Sequence, residues 1–259
     1  MISAVVDMAV GIGRWRTSFA LAVQDIELRY KRSLLGPFWI SASLVATMLA
    51  LAYVFAAVFR QEFTTYIAFL GTGLLAWQLV LGLMNEGCSS VTEHSGLLQN
   101  VRMPLTVIAG RISLRNAIVF AHNIVAVLAI LAMFGLRLSP VALYAIPGAL
   151  LILLFGYFIT MALGPLCARF RDIPMVVQSA MQVIFFLTPI FWMPSAVSHR
   201  PGFIHGNPFY HMIELVRAPL LGSEATALNW QVTLWCCGGA AVASVIVVAL
   251  TRKRINLWL

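Results

Sequence analysis

Nine carboxylates, five histidines and four cysteines are all this chain brings to acid–base, nucleophilic or metal chemistry, and their spacing assembles none of it. The acids are Asp7, Asp25, Glu27, Glu62, Glu86, Glu93, Asp172, Glu214 and Glu224. Each lies outside the centres of the long apolar runs, where an ion- or proton-coupled carrier needs one. No Gly-Lys-Ser or Gly-Lys-Thr is present, so the chain has no phosphate-cradling loop with which to hydrolyse ATP by itself. Gly-x-Ser-x-Gly, His-Glu-x-x-His and Cys-x-x-Cys are missing as well, and no catalytic residue is assigned. His199, His205 and His211 recur at steps of six with prolines between them. That spacing does not share a helix face, and no metal site is expected. Cys88, Cys167, Cys236 and Cys237 lack metal-site spacing and read as small apolar or free residues. His122, in an apolar run, reads as a histidine hydrogen-bonded between helices. The one adjacent acid–base pair is Glu93-His94. It leaves open a membrane enzyme, such as an acyltransferase acting on lipid-linked sugars.

Aromatic and basic side chains offer binding instead. Tyr53, Phe55, Phe59, Trp77, Tyr157, Phe185, Phe186 and Trp192 fall within the apolar runs or at their ends. Aromatic rings present apolar faces with polar edges, which suits stacking on sugars; the same residues also suit a helix core or an interfacial belt. Arg29, Lys31 and Arg32 precede the first apolar run, which holds no charge from Phe38 to Phe59. Such a cluster anchors the inner end of a span on anionic head groups.

The elements that must position these groups are membrane helices. Soluble domains carry about a quarter charged residues, whereas here 10% are charged and 61% hydrophobic, with a mean hydropathy of +0.92. The apolar blocks run roughly 18 to 28 residues unbroken, the length a helix needs to cross a bilayer. Barrel strands would be short and alternating. The fold class is an all-α polytopic membrane protein, a single domain over 1–259. Six spans are expected near 38–59, 66–84, 105–134, 141–168, 174–194 and 231–251. No cleavable leader is expected ahead of the first. Arg60, Arg137, Arg200 and Arg217 fall on one side, and the other thirteen of the seventeen basic residues on the opposite side. That bias places both termini in the cytoplasm. The net charge of +8 belongs to this topology, not to a nucleic-acid partner.

Segment 8–36 reads as an amphipathic interface helix, with Trp15, Phe19, Ala22, Ile26, Tyr30 and Leu34 on one stripe. Gly36-Pro37 breaks it from the first span. Arg111 and Arg115 lie in the first turns of the third span and are expected to snorkel to the interface. In the loop 88–102, Ser90-Val-Thr-Glu93 has the form of a capping box that opens a short helix. Segment 195–230 is rich in Pro and Gly, and Phe209–Leu221 within it is too short to cross, so a re-entrant or interfacial helix is expected. The two halves share no placed prolines or charges, which argues against an inverted-repeat carrier.

Six motifs occur in a telling order: Arg29-Tyr-Lys-Arg-Ser-Leu-Leu-Gly-Pro-Phe-Trp39, Asn85-Glu-Gly-Cys88, Arg115-Asn116, His122-Asn123, Ala168-Arg-Phe-Arg-Asp-Ile173 and Asn207-Pro-Phe-Tyr210. Together they resemble the permease subunits of type-2 ABC exporters, most of all the branch that exports O-antigen and related glycans. The resemblance implies a homodimer in the bacterial inner (plasma) membrane, joined to two copies of a nucleotide-binding ATPase. That ATPase would bind ATP and Mg, with no cofactor on this chain. It implies a coupling helix in 88–102, with Ser90, Glu93, His94, Leu97, Leu98 and Arg102 toward the ATPase. Segment 195–230 would form the outer gate, and the aromatics named above would line the channel. The cargo would be a lipid-linked polysaccharide whose pyrophosphate meets Arg29, Lys31 and Arg32 on entry. Another glycan (capsule, teichoic acid, galactan) or a small hydrophobic molecule is the alternative cargo.

Overall fold

The computed structural model describes residues 13–31, 38–100, 103–197, 201–251 and 255. Among them every regular element is helical: α1 (Trp15–Tyr30), α2 (Phe38–Val58), α3 (Phe63–Glu93), α4 (Ser95–Asn100), α5 (Leu105–Met133), α6 (Ala145–Arg169), α7 (Ile173–Leu187), α8 (Pro201–His205), α9 (Pro208–Leu220) and α10 (Ala227–Thr251). A 3₁₀ turn, Pro140–Tyr144, leads into α6. Helices α2, α3, α5, α6 with its lead-in turn, and α10 are long and apolar enough to cross a membrane, and α7 is a shorter apolar helix. The chain is a polytopic helical membrane protein.

Helix α3 is the axis. It packs against α2, α5, α6, α7 and α9, and from Tyr66 to Val80 it is buried almost all round. A helix apolar on every side is stable where other helices, not water, surround it. The helix is longer than the expected 66–84 because the loop residues after Met84 keep turning to Glu93. Ser90 therefore does not cap a new helix: its Oγ donates to the Gly87 carbonyl, one turn back, at 2.7 Å.

Helix α7 stops early. Its 15 residues rise about 22 Å, short of a hydrocarbon core of about 30 Å. The expected run to 194 continues as irregular backbone, which membrane depth tolerates only where protein satisfies the freed polar groups. Two side chains do this, and a third braces the Thr188 side chain at the helix end. The Arg217 guanidinium donates to the Pro189 carbonyl at 2.6 Å, the Tyr66 hydroxyl donates to the Phe191 carbonyl, and the Asn207 amide donates to the Thr188 hydroxyl at 2.8 Å.

Helix α9 is the short helix expected within 195–230, buried along most of its length between α3, α6 and α10. Asn207 accepts from the Phe209 N–H at 3.0 Å and Pro208 takes the first helical position, a favoured start. Gly148 of α6 lies directly under the Leu215 carbonyl, where a Cβ would overlap backbone. At the opposite end of the bundle α1 lies on α5. Its inward face is Ser18 and Ala22, while Trp15 and Phe19 of the expected stripe remain exposed. Ser18 donates to the Val107 carbonyl at 3.1 Å over Gly110, whose missing side chain permits the approach.

Candidate functional site

Two clusters of polar and aromatic residues occupy opposite ends of the bundle. At the α1 end the centre is Asp25, a carboxylate at mid-helix in α1 that faces α5. Arg111 grips it through both guanidinium branches, with Nε to Oδ2 at 2.6 Å. Arg115, one turn on, reaches the same carboxylate through Nη1 at 3.1 Å and Glu86 of α3 through Nη2 at 2.9 Å. Asn116 adds a donor to Glu86 and ties itself to the Ile112 carbonyl at 3.0 Å. Two cations and two anions thus join α1, α3 and α5, with all four side chains mostly buried.

This arrangement sets the chemistry of its members. Burial alone pushes the Asp25 carboxyl up, but the hydrogen bond and charge of Arg111, with the charge of Arg115, hold it below the usual carboxylate range. Neighbouring His94 caps α3 and is buried. Desolvation, and then the Arg111 and Arg115 charges, hold it below the usual imidazole range against the opposing pull of the Ser90 carbonyl and Asp25. Its Nδ1 lies 2.8 Å from that carbonyl and donates to it when the ring is neutral. Glu93 is exposed, so the adjacent pair is not one poised acid–base couple.

Of the residues expected to face an ATPase, Ser90 and His94 are internal to this junction. Leu98 packs inward on Val91, Ile108, Ile112 and Ala168, with Leu97 half-buried. The outward face of the turn is Glu93, Gly96, Gln99 and Asn100. Arg102 lies outside the described residues, as do Arg32 and the side chain of Arg29; Lys31 is exposed at the end of α1.

At the opposite end the rings form one chain. Phe59 stacks on Phe55 at 5.8 Å, Phe55 meets Phe191 at 5.5 Å, and Phe191 meets Phe185 at 5.8 Å and Phe186 at 5.9 Å. Phe185 meets Trp77 at 5.6 Å, and Trp77 reaches Phe209 of α9 at 6.3 Å. Trp192 joins through Nε1, which donates to the Phe186 carbonyl at 3.0 Å. Five of the eight expected aromatics are therefore in ring contact and a sixth is hydrogen-bonded beside them. Tyr53 projects away, 79% exposed, and Tyr157 packs with Phe158, Met161 and Val248 in another part of the bundle.

Arg217 underlies this chain. It is 1% exposed, paired with Glu214 one turn back in α9, and its Cζ lies 4.2 Å from the centre of the Phe69 ring. His211 is engaged on both nitrogens, by Asn229 at 2.7 Å and by the His205 carbonyl at 2.9 Å. His199 lies outside the described residues, and among these no three metal-ligating side chains converge. His122 bonds its own helix at the Ile118 carbonyl, 2.9 Å away, not a neighbouring helix. The four cysteines are free.

Asp25, Glu86, Arg111, Arg115 and Arg217 were not singled out as site residues by their sequence context. Glu214-x-x-Arg217 is a local helix pair that spacing alone reveals. Asp25 and Arg111 stand 86 residues apart, and only the fold brings them together.

A family model for the ABC-2 type transporter matches residues 17–221. Among curated proteins, the chain is 26% identical over 192 residues to an O-antigen export system permease protein RfbA from Klebsiella pneumoniae, covering 73% of this chain and 74% of that one. A second RfbA from the same organism is 24% identical over 192 residues, with the same coverage. The O-antigen export system permease protein RfbA of Myxococcus xanthus is 26% identical over 184 residues, 69% of this chain and 68% of that protein.

Proposed function

The chain belongs to the ABC-2 type transporter family, and on that premise we propose that it is the membrane subunit of an ATP-driven exporter of lipid-linked, O-antigen-type polysaccharide. The cargo reading rests on one observation, the likeness to O-antigen export permeases across 73% of this chain. The chain is a transporter component and not an enzyme. In this reading two copies form the conduit in the bacterial inner membrane, with both termini cytoplasmic. Two ATPase subunits bind ATP and Mg and press on the α4 turn.

The residues divide the work. Glu93, Gly96, Gln99 and Asn100 form the outward face that meets the ATPase, with Arg102 beyond it. Movement of that turn passes through His94 to the Asp25 junction, which couples the interface helix α1 to α3 and α5. Arg29, Lys31 and Arg32 receive the pyrophosphate by charge-assisted hydrogen bonds. The exposed rings of the aromatic chain, Phe186 foremost, stack against sugar rings near the exit, braced from behind by buried Trp77, and Tyr53 offers a further exposed ring. Reconstitution with the ATPase tests this division. The chain alone should hydrolyse no ATP, and the complex should move a lipid-linked glycan only when ATP is hydrolysed. Glycan movement without the partner subunit would overturn it.

A further inference from the structure

A cleft of about 290 Å³ runs between α2, α3 and α5. Its polar wall is Ser43 and Thr47 of α2, Gln78 and Glu86 of α3, and Asn116 and Asn123 of α5. Leu75, Leu79 and Phe120 are among the apolar residues that complete it. On α3 the polar positions are two helical turns apart, with Gly82 between them, so one face carries the wall from the middle of the helix to the Asp25 junction.

Gln78 stands out. It is exposed while its neighbours from Gly71 to Val80 are buried, and it sits halfway along a helix of 31 residues. It makes no hydrogen bond among the described residues, although an amide in hydrocarbon without a partner is costly. The other wall residues retain acceptor capacity. Ser43 and Thr47 donate to carbonyls of their own helix at 2.8 Å, which leaves their hydroxyl lone pairs directed elsewhere. Asn116 donates from its amide nitrogen to Glu86 and to the Ile112 carbonyl, which leaves its own carbonyl to accept.

Charge decides what kind of ligand suits these groups. Glu86 is paired with Arg115, and Asp25 with Arg111 and Arg115, so two cations balance two anions at the foot of the cleft. A phosphate or an ammonium brought there would break that balance in a desolvated place. A neutral ligand with many hydroxyls would not. Its oxygens match amide and hydroxyl partners, its ring C–H face matches Phe120 and the leucines, and the volume lies at the low edge of small-molecule sites, about 300–1,000 Å³. We infer that the α2–α3–α5 cleft binds the uncharged sugar head group of a membrane amphiphile, one ring at a time. The site lies within one protomer and does not depend on which cargo the transporter moves.

The test uses the full chain assembled with its ATPase subunits in lipid nanodiscs and a diazirine-bearing octyl glucoside as the probe. Photolabelling should map to peptides containing residues 40–47, 75–86 or 116–123. Unlabelled octyl glucoside should compete, while octyl phosphate and octyl phosphocholine should compete at least tenfold less well. Gln78→Leu, which adds no polar burden in the membrane, and Ser43→Phe, which fills the cleft from its exposed edge, should each cut labelling at least fivefold in protein that still elutes as the intact complex. Labelling unchanged in both variants, or equal competition by the charged amphiphiles, would overturn the inference. So would a Gln78→Cys protein that forms a disulfide between two copies, because the exposed amide would then belong to a subunit interface.

Discussion

The two buried arginine clusters solve the same problem in opposite ways. Arg217 finds its carboxylate one turn away in the same helix and spends its remaining donors on the Pro189 carbonyl and its charge on the Phe69 ring. Arg111 and Arg115 take theirs from Asp25 in α1 and Glu86 in α3. The first cluster keeps its ion pair inside α9 and uses the same arginine to clamp that helix to the irregular backbone after α7 and to α3. The second has its ion pairs between helices and exists only while α1, α3 and α5 keep their present relation. An ion pair that bridges elements breaks when they part; one inside a single helix survives. Ligand-driven change needs an element with two arrangements; in the proposed exporter the α1 junction is that element.

The most damaging way to break this contrast is Arg217→Met. It leaves the Glu214 carboxylate and the Pro189 carbonyl without their donors at membrane depth, a loss of about 3–5 kcal/mol. Little folded protein should survive detergent extraction and size-exclusion chromatography, and additional replacement of Glu214 by Gln should recover part of it. Asp25→Asn should cost less, about 1–3 kcal/mol, because α1 is one helix laid on an otherwise intact bundle. Thermal melting should read that loss. In a double-mutant cycle with Arg111→Ala, the coupling should fall in the range for contacting groups, about 0.5–3 kcal/mol. Gly148→Val presses a side chain into the Leu215 carbonyl and should cost about 1–3 kcal/mol. Its signature would be proteolytic nicking near α9 with the α1 end unchanged.

Acid should separate the clusters more gently. His94 sits below its ordinary range in the folded protein, so between that value and about 6.5 the unfolded chain binds more protons. Its contribution is complete above about 6.5 and falls as the pH drops through this window. His94→Gln should flatten that part of the melting curve. Asp25 is also held low, so its contribution persists above about 3.9 and is lost as the pH falls further. Melting temperatures of the wild type and of the two variants, followed from about pH 7.5 to about pH 2, check both signs.

How much of this was legible beforehand depended on distance along the chain. The membrane helices were, since uninterrupted apolar runs leave a helix few alternatives in lipid. The early stop of α7 had one signal, Pro189, which disfavours helical backbone at Thr188 just before it, but hydropathy ran through it to 194; the irregular path beyond is fixed by Arg217, Tyr66 and Asn207 from other parts of the chain. The aromatic chain was partly visible as a list of rings, but pattern could not distinguish Phe55, facing inward, from Tyr53, facing out. The Asp25 junction was hidden for the same reason. Arg111 and Arg115 look like snorkelling residues until the fold brings a carboxylate to them from 86 and 90 positions away.

The most direct measurement compares ATP hydrolysed with glycan exported in the reconstituted complex carrying Asp25→Asn. If the α1 junction transmits motion, hydrolysis should stay within about twofold of wild type while export per ATP falls about tenfold, a difference of about 1.4 kcal/mol in coupling. Hydrolysis and export that both remain at wild-type levels, or that fall together in equal proportion, would contradict it.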